Sequence, residues 1–410
     1  MTTLPPIRSL ALRQRFEAIA ARGRTLDLTR GKPSDEQVAL VQTMQSLPVA
    51  TPSNMNYGAI EGLRDARVLF GELVGAPWEQ TFVSGNASLS VMRNLVAEAL
   101  ARPLPDDTMF TWRTGPELLG RKPAMLCPSP GYDRQHAICK HYGIDMIPVP
   151  MKENGPDMDV VLRHVKRPEV VGMWCVPIYS NPSGITYSPE MCRRLAWMKA
   201  TEGFRIFWDL AYVVHHLVDS GGDTLPDMLE LCREAKHPDR VFVIASTSKI
   251  TCPDAGLGIL ASSPANMEWY RKCVVVDTIG QHKQNQLRHV GFLGNLEGIH
   301  RHMRKHRNIL RPKFDLVQEV LRRELGNTGL AMWNEPRGGY FVGLTLNGVS
   351  ARKVEARAAQ GGLKLTPAGA TDPLGKDDTF LRIAPTYGSL EELGPALELL
   401  ALSVLIEAEN

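Results

Sequence analysis

The central stretch of the chain alternates short apolar runs, each closed by glycine, proline or a polar residue, with longer stretches of helical periodicity. Runs that are apolar throughout, and not merely at every second residue, need cover on both faces, and helices crossing between parallel strands supply it. The pattern therefore predicts an α/β sheet with strands at 81–85, 124–128, 145–150, 170–177, 205–209, 240–245 and 258–261. In such sheets ligands gather beyond the strand ends, so the polar and small residues that close each run are the first candidates for a site.

One hydrophobic core rarely serves 410 residues, so a second domain is expected. From about Leu293 the pattern changes to a long basic helical segment, then a glycine-rich strand region at 337–346, then a helical tail after Ser389. The expected division is a large domain at 51–292 and a smaller one made of 293–410 with the N-terminal segment 1–50. Ser389 and Glu392 have the spacing of a capping box, while Pro395 argues for a later helix start. The longest loop-like stretch is 366–378.

A hydrophobic share of 43% with 22% charged residues is a globular balance, and a net charge of +3 is small for a protein that works on nucleic acid. The seven cysteines are scattered, odd in number and never spaced Cys-x-x-Cys, which favours neither disulfides nor zinc and suits a reducing cytoplasm. The N-terminal stretch lacks an apolar core, and no run of about 18 apolar residues occurs, so neither export nor membrane spanning is expected. The basic run at 300–307 reads as a solvated helix face, since it lacks stacking aromatics, and its histidines have no companion ligands for a metal.

Lys249 closes the apolar run in RVFVIASTSK, beside Ser246 and Ser248. A lysine at a strand end is usually solvated, but one that loses its water has a lowered pKa and becomes a nucleophile. Asp209 closes another run, RIFWD, as either a helix cap or a functional carboxylate, and Tyr212 follows as either core packing or a functional phenol. The segment VSGNASLSVMRNLV turns from strand into amphipathic helix, which puts the amides of Asn86, Ala87 and Ser88 at a helix N-terminus suited to phosphate.

Taken in order, Asn-Pro-Ser-Gly at 181–184, Asp-x-x-Tyr at 209–212 and Ser-x-Ser-Lys at 246–249 are hard to assemble by chance. The chain resembles the fold-type I, class I/II aminotransferases dependent on pyridoxal 5'-phosphate, from about Leu26 to its C-terminus. The resemblance implies a large domain with a mostly parallel seven-stranded sheet between helices, a smaller α+β domain, and a homodimer with shared active sites. It implies that Lys249 forms the Schiff base with the cofactor and then shuttles a proton, and that Asp209 pairs with the pyridine nitrogen. Asn181 and Tyr212 match the donors to the cofactor's phenolic oxygen, and Tyr132 matches the aromatic residue stacked on its ring. Asn86, Ala87, Ser88, Ser246 and Ser248 match the phosphate site, to which Tyr57 comes from the neighbouring subunit. Arg382 matches the arginine that takes the substrate's α-carboxylate, near Gly31, whose missing side chain permits close approach.

The resemblance has one gap. Most of the family carries a phosphate-binding arginine about eight residues after the lysine, where this chain reads ITCPDAGLG with Leu257 or its neighbours in that place. Lys283 and Arg288 are the candidates to supply that charge. LDLTRGKPS, STSKIT followed by AGLG, and NQLRHV resemble most a divergent corynebacterial branch of aspartate aminotransferases, which implies L-aspartate and 2-oxoglutarate as substrates. A dicarboxylic substrate needs a second cation, for which Arg30, Lys32, Lys283 and Arg288 are open choices. The alternatives are another amino donor, a carbon–sulfur lyase using the same lysine, or a non-catalytic effector-binding domain. The last is disfavoured because the N-terminal segment leaves no room for a DNA-binding module.

Overall fold

The computed structural model describes residues 6–409 apart from residue 24; the first five residues of the N-terminal segment and Asn410 lie outside the described residues. Thirteen strands are numbered here along the chain: β1 (Leu26–Asp27), β2 (Thr81–Ser84), β3 (Ala124–Ser129), β4 (Asp145–Lys152), β5 (Gly155–Pro156), β6 (Val170–Cys175), β7 (Arg205–Asp209), β8 (Val241–Ser246), β9 (Gly258–Ala261), β10 (Ala331–Trp333), β11 (Val342–Leu346), β12 (Leu363–Lys364) and β13 (Phe380–Ile383). The main sheet runs β2-β9-β8-β7-β6-β3-β4-β5. It contains the seven strands expected from sequence, and β5 adds a two-residue hairpin arm at one edge.

From β8 to β4 every neighbour is parallel, and β9 alone runs against both β8 and β2. Two reversals restore direction, so β2, β3, β4, β6, β7 and β8 all end on the same edge of the sheet. The residues of β6, β7 and β8 are buried without exception, the signature of strands covered on both faces. One apolar cluster, including Phe207, Trp174 and Phe242, packs one side of the sheet against the helix Ser88–Ala101. A larger cluster continues from the other side into the C-terminal part of the chain.

There the helix Leu296–Leu325 packs on the helix Leu390–Glu407, beside the antiparallel sheet β10-β11-β13. The parallel pair β1–β12 brings the N-terminal segment to this C-terminal part. Ser389 and Glu392 form the capping box anticipated from their spacing. Pro395, however, does not delay the helix, which starts at Leu390. Its missing N–H forfeits one bond, and the two capping bonds together with the buried Leu393, Leu397 and Leu400 outweigh that loss. The stretch 366–378 is a loop without regular structure, as expected. The basic run at 300–307 departs from expectation: Arg301, Arg304 and Lys305 are exposed, but His302, Met303 and His306 face inward. Residues four apart share one face, and that face meets the core.

Candidate active site

The sheet edge where the parallel strands end gathers the candidate residues. Lys249 lies in the turn immediately after β8, half-buried, with its Nζ 5.0 Å from the centre of the Tyr212 ring. Loss of hydration lowers its pKa, against the opposing attraction of Asp209. Asp209, the last residue of β7, is 2% exposed. Its carboxylate accepts from the Ala211 amide at 3.1 Å and from Gln135 Nε2 at 3.3 Å. Burial pushes it up to about 6, with Lys249 pulling the other way. A buried carboxylate held by two neutral donors is short of positive charge, so a cationic ring nitrogen beside it is electrostatically suited to the place.

Tyr212 is buried, and burial raises its phenol well above the ordinary value. Tyr132 stands at the start of the helix Asp133–Tyr142, beyond the end of β3, half-buried, its phenol likewise raised by burial and then by Asp209. Asn181 lies in the loop after β6 and accepts from Arg382 Nη1 at 3.1 Å.

Arg382 comes from β13, across from the main sheet. Its Nη2 donates to the Thr29 carbonyl at 3.3 Å and the Thr366 hydroxyl at 3.0 Å, its Nη1 lies 3.5 Å from Asp133, and its guanidinium sits 4.8 Å from the Phe341 ring centre. Nε is buried without a partner, so the fork is held in place with donor capacity to spare. Gly31 packs on the same ring, where an added Cβ would come within 2.2 Å of Phe341 Cζ. Only glycine lets the segment around residue 30 lie this close to Arg382.

At the neighbouring strand end, Ala87 caps the helix Ser88–Ala101 with no side-chain acceptor, so its first-turn amides are free for an anion. The Ser248 hydroxyl donates to the Asn86 carbonyl at 3.4 Å, joining the lysine turn to this helix start. Gly256 permits the join, since a Cβ there would lie 2.9 Å from Asn86 O and 3.0 Å from Ser248 Oγ. Asn86, Ala87, Ser88, Ser248 and Lys249 therefore converge, with Ser246 at the end of β8 behind them. An uncapped helix start, two serines, a desolvated lysine and a buried carboxylate together fit pyridoxal phosphate at its phosphate, aldehyde and ring nitrogen.

Other candidates lie elsewhere. Tyr57 is 73% exposed, and Lys283 Nζ is engaged by the Ser53 and Tyr57 carbonyls at 2.8 and 3.2 Å. Arg30 pairs with Asp27 at 2.9 Å, and it and Lys32 flank the Tyr387 ring at 5.2 and 4.1 Å. Arg288 is half-buried with Nε unpartnered. Leu257, where an arginine was anticipated, is 1% exposed and belongs to the core. Sequence reasoning missed Gln135, Thr366 and His215, whose Nε2 lies 3.2 Å from the Lys249 carbonyl. Gln135 and His215 each follow a chosen tyrosine by three residues, nearly one helical turn, a signal that was available; Thr366 had none.

A mostly parallel sheet of this order, with a smaller antiparallel sheet beside it, is the fold of the fold-type I aminotransferases dependent on pyridoxal phosphate. The chain belongs to the aspartate amino-transferase family, which it matches over residues 4–410. A Mycolicibacterium smegmatis relative, described as an aminotransferase with no substrate given, is 41% identical over 97% of this chain and 94% of its own. The crystal structure of an aspartate transaminase from Corynebacterium glutamicum superposes with a TM-score of 0.92 at 36% identity, covering 98% of this chain and 96% of that one. At 20% identity the fold is shared with the α-aminoadipate aminotransferase LysN of Thermus thermophilus, solved with a phosphopyridoxyl-leucine, at a TM-score of 0.77 over 96% of both chains. Among the described residues no helix is long and apolar enough to cross a membrane, and no group of three or more ligand side chains fits a metal ion.

Proposed function

We propose that this aminotransferase holds pyridoxal 5'-phosphate on Lys249 and exchanges L-aspartate and 2-oxoglutarate for oxaloacetate and L-glutamate. The observation that carries the assignment is the desolvated Lys249 amine facing the buried Asp209 carboxylate from the next strand end. When bound, the cofactor supplies an electron sink for the substrate's α-carbon. Asp209 keeps the ring nitrogen protonated, which offsets its own burial. Lys249 Nζ, once free, would take the proton from the α-carbon of the amino acid and, in the reverse half, deliver one to the α-carbon of the 2-oxo acid. Asn181 and Tyr212 donate to the phenolic oxygen, and Tyr132 flanks the ring. The amides at 86–88 with Ser246 and Ser248 hold the phosphate.

Arg382 orients the substrate's α-carboxylate through its two-pronged fork, with Gly31 leaving room for it. The distal carboxylate falls to a cation among Arg30, Lys32, Lys283 and Arg288. Tyr57 acts in the partner of a homodimer with shared sites. Its exposure, alongside Met55, Val276 and Ile279 at 67%, 68% and 65%, supports that arrangement. Lys283, bonded to the Tyr57 segment, goes with it, which leaves Arg288 on its own subunit as the second candidate for the missing phosphate charge. The resemblance to the Corynebacterium glutamicum enzyme supports the aspartate assignment.

Single amino acids added to the loaded protein, with the cofactor's absorption followed, test this proposal. Aspartate and glutamate should each convert the cofactor to its amine form and release a keto acid. Reaction with neutral amino acids alone would remove the dicarboxylate assignment, and pyruvate with ammonia and an unchanged cofactor would indicate a lyase.

A further inference from the structure

The inward histidines of the basic run touch the lysine turn. His302 Nε2 lies 2.8 Å from the Ile250 carbonyl, one residue beyond Lys249, and 3.0 Å from His306 Nε2. His306 Nδ1 accepts from Gln37 Nε2 at 2.9 Å, and the same Gln37 nitrogen donates to the Tyr340 hydroxyl at 3.0 Å. The orientation of the Gln37 amide follows from its other end, where Oε1 accepts from the Ser34 amide at 3.1 Å. Because Gln37 donates, His306 Nδ1 must be the unprotonated nitrogen and Nε2 carries the ring's proton; His302 Nε2 must carry one too to meet the Ile250 carbonyl, so that carbonyl accepts from both rings and the 3.0 Å between the two Nε2 atoms is a contact, not a hydrogen bond. Tyr340 in turn packs edge-on against His215, ring centres 5.4 Å apart, and His215 Nε2 reaches the Lys249 carbonyl. Two routes thus leave Gln37 and end on the successive carbonyls of residues 249 and 250.

Gln37 belongs to the short helix Asp35–Ala39, directly after the segment that holds Gly31 beside Arg382. The helix Leu296–Leu325 grips that segment a second time, since Lys313 Nζ donates to the Thr386 carbonyl at 3.0 Å and the Thr386 hydroxyl donates to the Lys32 carbonyl at 3.0 Å. We propose that Gln37, His306 and His302 are positioning residues that tie the substrate-side segment to the turn carrying Lys249, so that the seat of one sets the aim of the other. Its catalytic consequence rests on the assignment of Lys249 given above. Burial holds His306 down to about 3, and it lowers His302 as well, so both rings are neutral and the link acts through position.

Gln37→Met cuts both routes and His306→Leu the first, their double variant tests whether they act as one, and Tyr340→Phe removes only the second arm. Hydrogen exchange of the backbone at 246–253 should quicken by about tenfold in Gln37→Met, beyond the local change at 34–40. In the loaded protein kcat should fall by about tenfold, and the pH midpoint of the cofactor–lysine absorption should move, with the double variant no worse than Gln37→Met. The conservative His306→Gln should recover most of the midpoint. Faster exchange confined to 34–40, or additive effects in the double variant, would overturn the relay. A wild-type protein without that absorption, yet with exchange spreading to the turn, would instead overturn the cofactor assignment and leave the relay standing.

Discussion

Asp209 occupies a place that costs stability. Its ordinary carboxylate value is 3.8 and its folded value about 6, so between them the folded chain binds a proton that the unfolded chain does not. The penalty is therefore absent below pH 3.8 and complete above 6, on the order of 2–3 kcal/mol in the cofactor-free protein. Asp209→Asn should raise resistance to urea at pH 7 but hardly at pH 4, and lower turnover by at least about a hundredfold. An equal gain at both pH values would show that the carboxylate's charge is not the cause. Lys249→Ala should still retain cofactor through the remaining contacts, seen as absorbance that survives desalting, while turnover disappears; normal turnover in that variant would end the mechanism. Both residues were legible because each closes an apolar run. Thr366 was not, because its part is to accept from Arg382, brought to it from β13.

At the scale of elements, β7 begins with an arginine that has no access to water. Arg205 is fully buried, with Nη1 and Nη2 on the Asp106 carboxylate at 3.0 and 2.5 Å and Nη2 also on Asn266 at 3.0 Å. Burial works against the Asp106 charge, but the Arg205 bonds outweigh it and hold that carboxyl below its ordinary value. Asp106→Ala leaves the guanidinium uncompensated and should cost about 3–5 kcal/mol in urea unfolding, whereas a loss under about 1 kcal/mol would mean that water replaces the carboxylate. The elements themselves followed from local pattern: apolar runs gave the strands, and Ser389 with Glu392 gave a helix start. Pro395 and the basic run misled for one reason. Local rules count residues along the chain, while the outcome depended on which helix face met the core.

Across the whole molecule, buried histidines set the acid limit. His136 and His289 are lowered to about 4, and His215 and His306 to about 3, in each case chiefly by burial. Below the ordinary value of 6.5 the unfolded chain gains protons that the folded chain refuses, so stability falls as pH drops from there. At pH 5 each ring accounts for about 2 kcal/mol, which exceeds in sum the opposite drift from Asp209. Urea midpoints should therefore decline between pH 6.5 and 5, and less so in His136→Asn; a flat profile would mean that the rings are hydrated. Sequence alone settled the α/β class, the strand places and the residues that close them, because hydrophobic period and turn chemistry act within a few positions. It also picked out Lys249 and Asp209. The tertiary structure decided the rest: that six strand ends share one edge, that Arg382 crosses to meet Asn181, that Tyr57 faces outward, and that two histidines of a basic run reach the lysine turn. Those outcomes depend on burial and on partners far apart along the chain, which no local pattern encodes.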